Sequence, residues 1–162
     1  MRKIKPEIIG AEEDGGVRKT VNGNAPKVIA SREIKVFYCE FSAYALPEEE
    51  TRLSGKTYRL SAKIEGDGVD AEYRSHDRYG GRRDRSFTAD TSFMQRLDSI
   101  VKEYDLALHN GLSVTVYGLP GMYGAELSVD YASGERIYAR DNESCFIPIG
   151  AMEALEDLFS TN

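Results

Sequence analysis

Tryptophan is absent from the 162 residues, and cysteine and histidine occur only twice each. Two cysteines, Cys39 and Cys145, cannot staple a disulfide scaffold, and neither belongs to a CxxC pair. Reduced thiols in a reducing compartment are the simplest reading. The histidines, His76 and His109, show no HxH or HxxxH spacing. His76 with Asp77 would need ligands from elsewhere to hold a metal, so neither a metal nor a cofactor is expected. Long apolar runs are missing too. The basic start Arg2-Lys3-Lys5 is followed only by Ile8-Ile9 before Gly10 and the acidic Glu12-Glu13-Asp14. That pattern is no secretory signal, and no run approaches the roughly 20 apolar residues a membrane helix needs. A cytoplasmic protein without a membrane partner is the expectation. A surplus of positive charge is also lacking: 21 basic against 27 acidic residues give −6. This field argues against bulk nucleic-acid binding and leaves room for a local basic patch.

What is present describes an ordinary folded chain. Hydrophobic residues at 41% and charged residues at 30% separate it from disordered and membrane proteins. The length suits one domain able to bury a core without disulfides. Ten tyrosines supply aromatic surface with a polar end.

Residues 1–26 combine mixed charge with the turn signals Asp14-Gly15-Gly16 and Asn22-Gly23, then Pro26. They read as a polar arm or an extra edge hairpin, with the α+β domain over 27–162. In Ile34 to Tyr44, alternation sets Phe37, Cys39 and Phe41 against Val36, Tyr38 and Glu40. Tyr58, Leu60, Ala62 and Ile64 alternate with Thr57, Arg59, Ser61 and Lys63 in a half-buried strand. Turns at Gly66-Asp67-Gly68 and Gly80-Gly81 lead into Val69 to Ser75 and Arg82 to Thr88, predicting an antiparallel meander. A long helix is predicted over about 91–109. Asp90, Thr91 and Ser92 all suit its N-cap, Ser92 with Gln95 fits the reciprocal capping pair, and its stripe is Phe93, Leu97, Ile100, Val101, Tyr104 and Leu108. Asn110-Gly111 ends it.

Strands follow at Leu112 to Tyr117, at Ala125 to Tyr131 and, after Ser133-Gly134, at Arg136 to Arg140. A short helix over about 149–160 carries Met152, Leu155, Leu158 and Phe159. The fold class is α+β: a mostly antiparallel sheet of about five to seven strands with both helices on one face. That face should carry Leu60, Ile64, Val114, Leu127 and Val129 toward the helices.

From Thr91 to Phe159 the layout resembles small bacterial α+β domains of unknown function. The likeness lies in a helix ending near EYDLALHNG, a strand pair like AELSVDYASGERIYA and a closing DNESCFIPIGAMEALEDLF. It implies a fold and no activity.

The strongest local anomaly is Arg74 to Arg85, RSHDRYGGRRDR. Arg74, Arg78, Arg82, Arg83 and Arg85 crowd a hairpin whose guanidinium forks suit phosphate or carboxylate, and Tyr79 could stack on a base. The alternative is a charged hairpin that keeps an edge strand from pairing with other chains. Glu48-Glu49-Glu50 could meet the basic tip within the chain or across a homodimer. Cys39, between two phenylalanines, reads as core rather than nucleophile, and nothing near Cys145 would activate it. His109 falls in the last helical turn, where a cation meets the helix dipole. Gly118, Gly121 and Gly124 read as a turn, because a strand rather than a helix follows and no lysine is near. Glu40, Glu126 and Asp130 lie on strand faces and could converge as paired acids do in glycosidases, although solvent-facing acids are the default.

Two functions follow: a non-enzymatic binding or interaction module that grips a small anion or an acidic protein partner, or a small enzyme built from strand-borne acids and histidines. No catalytic residue is assigned.

Overall fold

In a computed structural model, residues 7–12, 15–120 and 123–162 are described, with backbone only for 7–12 and 15. The alternating segments become strands. They are β1 (Glu7–Glu12), β2 (Gly15–Val21), β3 (Ile34–Ser42), β4 (Lys56–Glu65), β5 (Gly68–Asp77) and β6 (Arg82–Ala89), followed after a helix by β7 (Leu112–Val116), β8 (Ala125–Tyr131) and β9 (Arg136–Asp141). The helices are α1 (Ser92–Glu103) and α2 (Ile149–Thr161). Among the described residues all nine strands join one sheet in the order β1-β2-β7-β9-β8-β3-β4-β5-β6. The class is α+β, as expected, but the sheet is wider than five to seven strands and is mixed. The meander β3 to β6 is antiparallel throughout, whereas β7 runs parallel to β9. Two of the extra strands come from the amino-terminal region, where β1 pairs β2 and β2 pairs β7. Asp14 of the first turn signal lies outside the described residues, as does Gly121 of the Pro120-Gly121 turn.

One face of the sheet is covered. Phe37, Cys39 and Phe41 of β3 are buried with Tyr58, Leu60 and Ala62 of β4 and with Leu127 and Val129 of β8. They share one cluster with Phe93, Leu97 and Val101 of α1 and Met152, Leu155, Leu158 and Phe159 of α2. Burying a phenylalanine or leucine in such a cluster contributes roughly 1.5–3 kcal/mol. Val114 is buried but lies outside that cluster.

The long helix is shorter than its stripe. Tyr104 caps α1, Asp105 turns left-handed at φ +49°, and Leu106–His109 forms a separate 3-10 turn. An aspartate tolerates this conformation better than most residues. The break turns Leu106 into the core and leaves Leu108 exposed. At the other end Thr91 is the N-cap and makes no side-chain cap bond; Asp90 accepts the Ser92 N–H at 2.9 Å and bonds the Ser92 hydroxyl. The expected Ser92–Gln95 pair is therefore replaced by Asp90, two residues before Ser92 and also suited to the cap.

His109 stands in the last turn of the 3-10 segment, not of α1. Its ring lies 5.1 Å from that of Phe146, and burial, with the nearby Lys27 ammonium, lowers its pKa below the ordinary value. The unfolded chain therefore takes up this proton more readily than the folded one. Stability is expected to fall as pH drops below about 6.5, and denaturant melts of His109→Gln should show a flatter pH dependence than the parent. Parallel curves for the two proteins would rule the imidazole out as the cause.

Candidate functional site

The uncovered face of the sheet is polar, and its side chains form rows across the strands because neighbours pair residue against residue. One row is set by five pairings: Arg140 opposite Glu126, Glu126 opposite Glu40, Glu40 opposite Arg59, Arg59 opposite Arg74, and Arg74 opposite Asp84. It crosses six strands from β9 to β6. The structure thus places Glu40 and Glu126 side by side. Asp130 does not join them; it stands further along β8, paired to Arg136 at 3.2 Å.

Tyrosines from the next row orient the two glutamates. Tyr38 donates to Glu40 Oε2 at 2.7 Å, and Tyr138 donates to Glu126 Oε1 at 3.2 Å. Burial, aided by the bond to Glu40, raises the Tyr38 phenol well above its ordinary pKa. It stays a proton donor to the carboxylate at physiological pH. Arg59 approaches Glu40 Oε1 at 3.7 Å.

The Arg-rich hairpin divides between the two faces. Alternation along β5 and β6 puts Arg74, His76 and Arg82 on the open face, where they line a hollow of about 340 Å³ with Glu40, Thr57 and Arg59. Arg82 pairs with Asp84 at 2.8 Å, and among the described residues Arg74 makes no ion pair. Arg83 and Arg85 point to the helix side. Arg83 stacks 5.3 Å over the Tyr73 ring. Arg85 donates to the carbonyls of Phe159 at 2.9 Å and Ser160 at 2.8 Å, capping the last turn of α2. Arg78 packs 5.5 Å over Tyr44 and donates to its carbonyl at 3.3 Å. Tyr79 is 89% exposed at the tip and is not among the residues lining the hollow with Arg74 and Arg82. Asp77 accepts the Tyr79 and Gly81 N–H groups at 2.8 and 2.7 Å, so its carboxylate organises the turn.

A second hollow adjoins the first and shares Glu40 and Thr57 with it. Its other lining includes Ser42, Tyr123, Glu126 and Arg140. A third, over Val36, Tyr38, Ser61 and Glu72, gathers no charge of one sign.

Neither thiol is activated by its surroundings. Cys39 is fully buried, and burial, with Cys145 next in effect, raises its thiol far above the ordinary value. Cys145 is pushed up to about 11, again mainly by burial. Glu48, Glu49 and Glu50 make no ion pair among the described residues, so the basic tip does not close on them within the chain.

Sequence reasoning grouped the arginines by proximity along the chain. The alternation already visible in Arg82 to Thr88 separates Arg82 from Arg83 and Arg85. Arg59 and Arg140 were missed because only strand pairing brings them into the row.

Among the described residues no group of three or more His, Cys, Asp and Glu side chains could hold a metal, and no helix is long and apolar enough to cross a membrane. Searches against protein families, curated proteins and solved structures find no match for this chain.

Proposed function

We propose that this protein is a binding module, not an enzyme, and that it takes an anionic group, phosphate or carboxylate, in the hollow over β4, β5 and β6. The observation that carries this reading is Arg59 standing directly opposite Arg74, with Arg82 and His76 in the same hollow. Like charges placed directly opposite each other destabilise a strand pair. An anion accepting from both guanidinium forks turns that repulsion into paired, charge-assisted hydrogen bonds. The two unpaired cysteines, one of them in the core, suit work in a reducing compartment.

The test is a titration with inorganic phosphate and sulfate, followed by melting temperature and calorimetry. Both anions should raise the melting temperature in a salt-sensitive way, because a ligand that binds only the native state stabilises it by mass action. Arg74→Ala and Arg82→Ala should each weaken binding by about tenfold or more, the scale of one lost charge-assisted bond. Arg83→Ala, next in sequence but on the other face, should bind as the parent does. Equal losses in all three variants, or no shift with either anion, would refute the open-face site.

A further inference from the structure

We infer that the anion is carried by a sugar: the two adjoining hollows form one cleft for a phosphorylated monosaccharide, with phosphate on the arginine side and ring hydroxyls on the glutamate side. The inference rests on the anion site proposed above and adds the second hollow to it. Continuity comes from Glu40 and Thr57, which line both.

The second hollow offers the donors and acceptors that vicinal hydroxyls need. Tyr38 occupies Glu40 Oε2 and Tyr138 occupies Glu126 Oε1, so each carboxylate keeps acceptor capacity and is already held in place. Arg140, opposite Glu126 in register, makes no ion pair among the described residues and can donate to a hydroxyl or ring oxygen. Thr57 does both. Tyr123, 38% exposed, lines the same hollow and supplies aromatic surface for the C–H side of a ring. A few convergent polar groups beside an aromatic wall are the usual make-up of a small-molecule site. The neighbouring Asp141 and Asn142 are engaged elsewhere: Asp141 accepts the Glu143 and Ser144 N–H groups, and the Asn142 amide clamps the Val116 backbone.

The strand spacing fixes the length of the ligand. Adjacent strands lie about 4.8 Å apart, so the midpoint of Arg59 and Arg74 is about 10 Å from that of Glu40 and Glu126. A hexose monophosphate covers that span once its hydrogen bonds at both ends are included. Inorganic phosphate fills one end only.

Calorimetric titrations with inorganic phosphate, glucose 6-phosphate and ribose 5-phosphate test this. At least one sugar phosphate should bind about tenfold more tightly than inorganic phosphate, the gain expected of one or two further hydrogen bonds to charged groups. In Glu126→Gln, a shape-preserving change that still accepts from Tyr138, this ratio should fall below about threefold. If phosphate binds and neither sugar phosphate binds more tightly, or if the ratio survives in Glu126→Gln, the sugar inference fails and the anion site stands. If none of the three binds, both fail.

Discussion

Replacing Gly124 with alanine is expected to destabilise the fold by about 3–4 kcal/mol, which lowers the melting temperature of a chain this size by about 10 °C. Gly124 sits at φ +82°, where an L side chain is strained. An added Cβ would stand 1.9 Å from the Asp141 carbonyl and 2.7 Å from Asn142 Cα, both of them backbone atoms that cannot swing aside. The Gly124 carbonyl meanwhile accepts the Ser42 N–H at 3.0 Å, so the strand end cannot retreat without losing that bond. Gly66 provides the control. It has φ +64° and nothing within 4 Å of a new Cβ, so Gly66→Ala should cost only about 1–2 kcal/mol. Equal losses in the two variants, read from denaturant melts, would show that backbone conformation alone matters and that the Asp141 contact does not. Gly124 also lines the second hollow, so a folded Gly124→Ala protein should bind sugar phosphates poorly.

Asp98→Ala should have the next largest effect, about 2–3 kcal/mol. Asp98 is 5% exposed in α1. It accepts the Tyr131 hydroxyl of β8 at 2.9 Å and the Lys102 ammonium at 2.8 Å, while Lys102 also donates to the Ser31 carbonyl at 2.5 Å. Burial, together with Asp98, raises the Tyr131 phenol far above its ordinary pKa, so it stays protonated and donates to the carboxylate. Removing the carboxylate leaves that buried hydroxyl without an acceptor, a penalty of roughly 1–3 kcal/mol. The Lys102 side chain is 37% exposed, so its ion pair adds less than about 1 kcal/mol. A double-mutant cycle with Tyr131→Phe separates these contributions. Coupling of about 1 kcal/mol or more is expected between the two positions. Additive losses would mean that the hydroxyl finds another partner.

Much of the core was legible because local rules and burial agree there. Phe37, Cys39 and Phe41 alternate with Val36, Tyr38 and Glu40 in sequence and in space, and the stripe Met152, Leu155, Leu158 and Phe159 faces inward as its spacing requires. The end of α1 was not legible, since continuing to Leu108 satisfies helical spacing as well as stopping at Glu103 does. Only the buried position of Leu106 decides between them. The candidate site was half legible. Alternation assigns Glu40, Arg59 and Arg74 to the same face as soon as the strands are recognised. Nothing local says that β8, more than eighty residues later, docks beside β3 and sets Glu126 against Glu40. Arg85 misled for a related reason: its charge marked a surface patch, yet the carbonyls it caps belong to a helix at the far end of the chain.

The row from Arg140 to Asp84 has a consequence for how the strands choose their alignment. Sliding β4 along β5 by two residues keeps every apolar side chain on the core face and sets Arg59 opposite Glu72, an attractive pair. Sliding β3 along β8 by two moves Glu40 away from Glu126 to face Ser128 or Gly124. Charge at these two places favours a slip, although the first slip would also part Lys63 from Asp70 and Lys56 from Asp77, their native partners in register. The native alignment is enforced from elsewhere, by the two-residue turn Gly66-Asp67 closing Glu65 against Gly68 and by the packing beneath the sheet. The open face is left frustrated, with acid against acid and base against base in two adjoining places. A ligand that supplied counter-charge between Arg59 and Arg74 would relieve that repulsion, so its binding would add to the stability of the native alignment.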